Sequence, residues 1–318
     1  MNNLITGGAG FIGSHLAEIL LSKGEKVCAL DDLSTGRIKN IEHLNENKNF
    51  NFIYGSIVEN RIASELINNC DAVYHLAASV GVNLIIDKPL ESLINNIKTT
   101  ETVLEVSSKW QKKVLLTSSS EVYGKNDNLP FSESDDRVYG SVYSTRWGYA
   151  YSKSIDEFLG LAYYREKGLP VVVARLFNTV GPRQTGNYGM VIPRFINQAM
   201  KNLPITVYGD GKQSRSFSYV TDIVKGLISL MKSEKTSGEV YNVGSNNEIS
   251  IIDLARKIKE KTKSKSKIVL VNYDEAYEKG FEDMIRRKPK LEKIKSVINY
   301  NPKTNLDQII EILINSYK

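Results

Sequence analysis

Thr6-Gly7-Gly8-Ala9-Gly10-Phe11-Ile12-Gly13 is the stretch on which the fold turns. The apolar run before it, 3–6, reads as a buried strand, and the amphipathic stretch after it, 11–23, as a helix. Three of its four glycines have a use in such a strand-to-helix turn. Gly7 permits the tight bend, Gly10 lets backbone approach a diphosphate, and Gly13 lets helix and strand pack closely. Phe11 and Ile12 open a helix whose first N–H groups and positive dipole end suit phosphate.

The next apolar run, 26–30, ends at an acid. Asp31 follows Gly13 by the distance expected of a carboxylate that binds adenosine ribose hydroxyls. It would repel a 2′-phosphate, and Asp32 adds a second charge, so the expected cofactor is NAD rather than NADP. Further outward the same alternation continues. Apolar runs at 51–54, 72–76, 113–117 and 170–175 read as strands, and stretches at 59–69, 87–109 and 147–167 as helices. Strand–helix alternation predicts a parallel sheet covered on both faces, in an α/β, doubly wound Rossmann arrangement.

The pattern loosens after Arg175. Helices are expected at 189–201, 221–233, 250–262 and 305–316, and strands at 205–208, 239–243 and 267–271. This division predicts an NAD-binding domain over 1–175, which includes the catalytic residues. A smaller α/β lobe over 176–318 would bind substrate and interleave with the first. The polar stretch 124–146 reads as a long loop, a kind that is uncommon unless functional.

Composition narrows the class. Of 318 residues, 41% are hydrophobic and 25% charged, an ordinary globular balance. The net charge is +6, but its lysines are scattered over polar stretches such as 257–267, which reads as a solvated surface rather than a nucleic-acid footprint. Two cysteines, Cys28 and Cys70, make no disulfide framework and read as core fillers in a reduced, cytoplasmic protein. No run approaches the roughly 18 apolar residues of a membrane span, and no signal peptide is visible. The histidines, His15, His43 and His75, show no metal-ligand spacing, so no metal is expected.

Tyr149 and Lys153 stand four apart on the helix at 147–167, which puts both on one face. A phenol of ordinary pKa near 10 needs roughly 4 kcal/mol of differential stabilisation to work as a base near pH 7. A nearby ammonium and a ribose hydroxyl network can supply much of it. Tyr151 lacks a lysine at the matching position and is the weaker candidate. Past the strand at 113–117 come Ser119, Ser120 and Glu121. Residues there face the ligand crevice. A hydroxyl can shuttle a substrate proton to Tyr149, and a carboxylate can act at a neighbouring carbon.

With these motifs in place, the chain resembles the extended short-chain dehydrogenase/reductases that act on nucleotide sugars. The likeness runs through Thr6 to Gly13, Asp31-Asp32-Leu33-Ser34-Thr35-Gly36 and His75-Leu76-Ala77-Ala78. It continues through Ser119-Ser120-Glu121, Tyr149 with Lys153, Arg175 to Arg183, Tyr208 to Arg215, and Arg286-Arg287-Lys288-Pro289. It implies that Ser34, Ser56, Ile57, Leu76, Ala77 and Ala78 join the glycine turn in holding NAD. Ser119 would be the proton shuttle, Tyr149 the base and Lys153 its electrostatic partner and ribose ligand. Asn178, Arg183, Val191, Val207, Arg215 and Arg287 would bind the substrate, with the arginines on its diphosphate. UDP is the implied nucleotide, and the implied assembly is a homodimer joined through the helices at 87–109 and 147–167. Two positions depart from the family pattern: Ser56 stands where an aspartate usually meets adenine, and Lys290 where an aspartate usually follows the proline.

The resemblance implies oxidation at sugar C4 as the first step. Three outcomes remain open: return of hydride to the other face (4-epimerase), elimination of water (a 4,6- or 5,6-dehydratase), or loss of a C6 carboxylate. Ser120 is a poor acid for dehydration. Ser120-Glu121, with Arg146-Trp147 ahead of Tyr149, resembles the UDP-glucuronate decarboxylases, which is the leading expectation. A non-catalytic NAD-binding regulator would usually lack the tyrosine–lysine pair.

Overall fold

The computed structural model describes residues 1–80, 87–184, 190–272 and 284–317. In chain order the first half contains β1 (Asn2–Thr6), α1 (Phe11–Ser22), β2 (Lys26–Asp31), β3 (Phe50–Tyr54), α2 (Asn60–Asn68), β4 (Ala72–His75), α3 (Pro89–Lys109), β5 (Lys113–Ser119), α4 (Gly148–Lys167) and β6 (Val171–Leu176). The second half contains β7 (Thr179–Val180), α5 (Val191–Met200), β8 (Ile205–Tyr208), β9 (Ser214–Ser216), β10 (Ser218–Tyr219), α6 (Val220–Lys232), β11 (Glu239–Val243), β12 (Glu248–Ser250), α7 (Ile251–Lys261), β13 (Ile268–Val271), β14 (Arg286–Arg287), α8 (Glu292–Val297) and α9 (Leu306–Ser316). Residue 189, the first of the helix expected at 189–201, lies outside the described residues.

Seven parallel strands in the order β11-β6-β5-β4-β1-β2-β3 form the central sheet. Strand alternation explains why it is covered on both sides. Ile5, Tyr74, Leu115 and Val172 enter one apolar layer with residues of α1 and α6. Their neighbours Leu4, Val73, Leu116 and Val173 enter the opposite layer with α2 and α3. Successive side chains of a strand point to opposite faces, so a strand buried on both reads as a continuous apolar run.

The chain crosses back after its first half. β11 pairs with β6, and Leu291, Ile294 and Tyr300 pack in the layer that holds α1 and α6. Residues of the lobe expected at 176–318 therefore complete the sheet expected at 1–175. A separate apolar core gathers α5, α7, α9 and β8. No helix among the described residues is long and apolar enough to cross a membrane.

Candidate functional site

One cleft of about 490 Å³ runs along the carboxyl ends of β1, β2, β4 and β5 and reaches α5 and β9. The glycine turn forms its first wall. Gly7 has φ +71°, and a Cβ there would come within 2.9 Å of the Ala77 backbone, so the turn demands glycine. A Cβ on Gly13 would collide with the Gly7 carbonyl, which is how α1 lies so close to β1. Gly10 precedes α1 without a side-chain cap, so the first-turn N–H groups at Phe11, Ile12 and Gly13 remain for a ligand in the cleft they line.

Asp31 closes the end of β2. Its Oδ2 accepts from Ala9 N at 3.0 Å and its Oδ1 from Leu33 N at 2.8 Å. Burial pushes its carboxyl above the usual range, and these amides pull the other way. Asp32 accepts from Ser34 N at 2.9 Å. Both acids line the cleft with Ser34, Ser56 and Ile57, and across from them lie Leu76, Ala77 and Ala78. Open N–H groups at a helix start, a turn without side chains and a carboxylate at the second strand end together fit a dinucleotide.

α4 carries Tyr149 and Lys153, and a buried network fixes where it sits. Glu157 on α4 accepts from Arg175 Nη2 at 2.8 Å and from Ser118 Oγ at 2.5 Å, tying the helix to β6 and β5. Tyr149 hydrogen-bonds Ser119. Burial raises the phenol pKa; Lys153 lowers it, while Glu121 and Asp156 add to the rise. The lowered phenol pKa expected from the lysine is thus not reached by the chain's own groups, because burial outweighs Lys153, whose Nζ is also paired with Asp156 Oδ2 at 2.9 Å. Tyr151 packs against Tyr139 with ring centroids 4.5 Å apart, away from the cleft. His75 is buried between Thr6 and Thr100 and held neutral, its pKa lowered by burial to about 3.

At the other end, β9 and β14 pair in parallel with Arg215 opposite Arg287. Register sets the two residues side by side, and both line the cleft. Glu121, just past β5, reaches Arg287 Nη1 at 2.5 Å and Arg146 Nη2 at 2.6 Å. Burial by itself would raise its pKa; Arg146 and then Arg287 outweigh that and hold it near 2, with Arg215 contributing. Ser119, Ser120, Asn178 and Val191 line the cleft. Arg183 does too, with Nη2 2.5 Å from Glu18 Oε1.

Val207 does not. It is fully buried in the core of α5, α7 and α9, because β8 alternates and its inward positions are 205 and 207. Tyr208 lines the cleft instead, with Arg194 stacked 3.9 Å from its ring centre. Arg146 entered the sequence reading only as a likeness; its pairing with Glu121 makes it part of the site. Among the described residues no three His, Cys, Asp or Glu side chains are grouped to hold a metal ion.

The sheet order, its crevice and the buried tyrosine–lysine pair make this an extended short-chain dehydrogenase/reductase, as the sequence resemblance implied. Residues 4–313 match the family model of GDP-mannose 4,6-dehydratase, and the chain belongs to that family of nucleotide-sugar enzymes. It is 44% identical over 306 residues to UDP-N-acetyl-alpha-D-glucosaminuronate decarboxylase of Bacillus cytotoxicus, covering 96% of this chain and 94% of the relative. It is 36% identical to UDP-glucuronic acid decarboxylase 1 of Xenopus tropicalis, covering 99% of this chain and 72% of the relative. Among solved structures, UDP-glucuronic acid 4-epimerase of Bacillus cereus, in complex with UDP-glucuronic acid and NAD, superposes with a TM-score of 0.89 at 29% identity, covering 99% of this chain and 98% of that one.

Proposed function

We propose that this protein is an NAD-dependent decarboxylase of a UDP-linked hexuronate. The observation that carries this reading is Glu121 clamped between Arg146 and Arg287. Dehydration needs a carboxylic acid to protonate the departing hydroxyl. Among the described residues lining the cleft, Glu121 is the one carboxyl at the sugar end, the others being Asp31 and Asp32 at the adenosine end. Held ionised, with a pKa near 2, it has no proton to give, and Ser120 is no acid. Three guanidinium groups against one carboxylate leave net positive charge. That suits a substrate carrying both a diphosphate and a C6 carboxylate.

Tyr149 takes the proton of the C4 hydroxyl, relayed by Ser119. Lys153 favours the phenolate and donates to the cofactor ribose. Bound NAD would accept the C4 hydride and give it back. Arg215 and Arg287 grip the diphosphate with Asn178. Arg146, held in place by Glu121, faces the C6 end, so that the carboxylate is aligned to leave C5 as carbon dioxide. The electron pair left on C5 is delocalised into the C4 ketone as an enolate, and C5 then takes one proton that comes from solvent water. Asp31 and Asp32 bind the adenosine ribose and favour NAD over NADP. The 44% identity to a decarboxylase of a 2-acetamido uronate, against 36% for a glucuronate enzyme, supports UDP-N-acetylglucosaminuronate as the first substrate to try.

The assembly is a homodimer in the cytoplasm. Leu90 and Ile94 on α3 and Ile155 and Phe158 on α4 are exposed, Leu90 at 70% and Phe158 at 68%, and apolar side chains on two packed helices suit a bundle with a second copy. The thiols of Cys28 and Cys70 are held protonated by burial, pushed up to about 11 and about 12.

The test is to supply UDP-N-acetylglucosaminuronate, UDP-glucuronate, UDP-glucose and UDP-N-acetylglucosamine separately and weigh the products. A uronate product lighter by one carbon dioxide supports the reading. Loss of water, or an isomer of unchanged mass, would replace it with dehydration or epimerisation.

A further inference from the structure

Asp156 lies outside the tyrosine–lysine motif, three residues beyond Lys153 on α4, where helical spacing brings both onto one face. Its Oδ2 accepts from Lys153 Nζ at 2.9 Å, the two side chains being 3% and 4% exposed. Its Oδ1 is buried without a hydrogen-bond partner among the described residues. A buried ion pair gives little net stability over apolar packing, so this one needs a reason beyond holding the fold.

We propose that Asp156 is a positioning residue that keeps Lys153 charged and aimed beside Tyr149, and thereby sets the pH range over which the tyrosine acts as base. The inference rests on Tyr149 being that base. An ammonium buried alone would shed its proton, and a carboxylate at hydrogen-bond distance prevents this. The pair uses one of the three ammonium donors and leaves two for a ligand. The same carboxylate opposes ionisation of Tyr149.

The surroundings limit what else could set the range. Glu121 faces Tyr149 from the end of β5 and is ionised by its arginines. His75, on β4, is neutral beside Lys153. Glu157 on α4 acts on Lys153 as well, but its oxygens are engaged by Arg175 and Arg137. From α3 the contact is the neutral Asn96, which donates to Ser152. Asp156 is therefore the carboxylate that touches the ammonium.

Removing its charge lowers the pKa of both partners, since an anion beside either group disfavours loss of its proton. In Asp156→Asn and Asp156→Ser, with saturating NAD, both limbs of the kcat profile should move toward acid by about one pH unit. Asp156→Glu should restore the parent limbs. A readout independent of substrate is the tyrosinate absorbance of the parent and of Asp156→Asn, each with its Tyr149→Phe counterpart subtracted. The Tyr149 phenol should ionise at lower pH without Asp156. Should the parent form no product, that titration still decides the inference while the proposed function fails. Limbs and titration unmoved, a uniform loss of rate at every pH, or failure of both the Asn and Ser variants to fold would each overturn it.

Discussion

Glu121 and Arg146 form an ion pair of 2.6 Å in the floor of the cleft, with side chains 12% and 5% exposed. Arg287 closes on the other carboxylate oxygen. Three separate segments meet here: the end of β5, the turn before α4, and β14. A side chain that the sequence offers as a carboxylate able to act at a neighbouring carbon is held by this contact as a fixed anion.

Glu121→Gln should expose the cost of that arrangement. Removing one partner of a buried charge cluster leaves arginines uncompensated, and the loss is about 3 kcal/mol at neutral pH. The folded pKa, about 2, lies below the ordinary 4.5, so the contribution is present above that ordinary value and is lost as pH falls toward the folded one. Denaturant titrations of parent and variant should therefore converge as the solution is acidified. A gap that stays constant with pH would show that Glu121 is not ionised in the folded protein.

Tyr149→Phe removes the base and keeps the ring. Turnover should fall by about 10²–10⁴-fold, while calorimetric NAD affinity stays close to the parent's. Retained turnover would move the base elsewhere.

Asp31→Asn removes the charge that faces the ribose and leaves one oxygen for the backbone amides of Ala9 and Leu33. NAD should bind roughly 10–100-fold more weakly, the range expected for hydrogen bonds to a charged group. Discrimination against NADP should narrow in the same titrations, since the repulsion of a 2′-phosphate is reduced.

Phe158→Glu places a charge on the exposed apolar face of α4. Light scattering should find the parent at twice the 35.7 kDa chain mass and the variant at the chain mass. A parent that is already monomeric would refute the bundle.

Much of this was legible in the sequence because it is local. The glycine turn, the acid after the second strand and the tyrosine–lysine spacing each specify geometry within a few residues. The return of β11 to the central sheet was not, since nothing in 239–243 says which strand it pairs with. The resemblance implies Arg215 and Arg287 as diphosphate ligands, but their register depends on strands of three and two residues, too short to show a period. Val207 was misplaced although the alternation of β8 distinguishes it from Tyr208. Asp156 carried a signal that went unread: an acid three residues past the lysine of a helical motif shares its face.

The central claim, decarboxylation through a C4 ketone, is tested most directly by running the reaction on UDP-N-acetylglucosaminuronate in deuterium oxide with catalytic NAD. The expected product has lost carbon dioxide and gained one deuterium at C5, and NAD is not consumed. A product that retains the carboxylate, or one that has lost water instead, would contradict it.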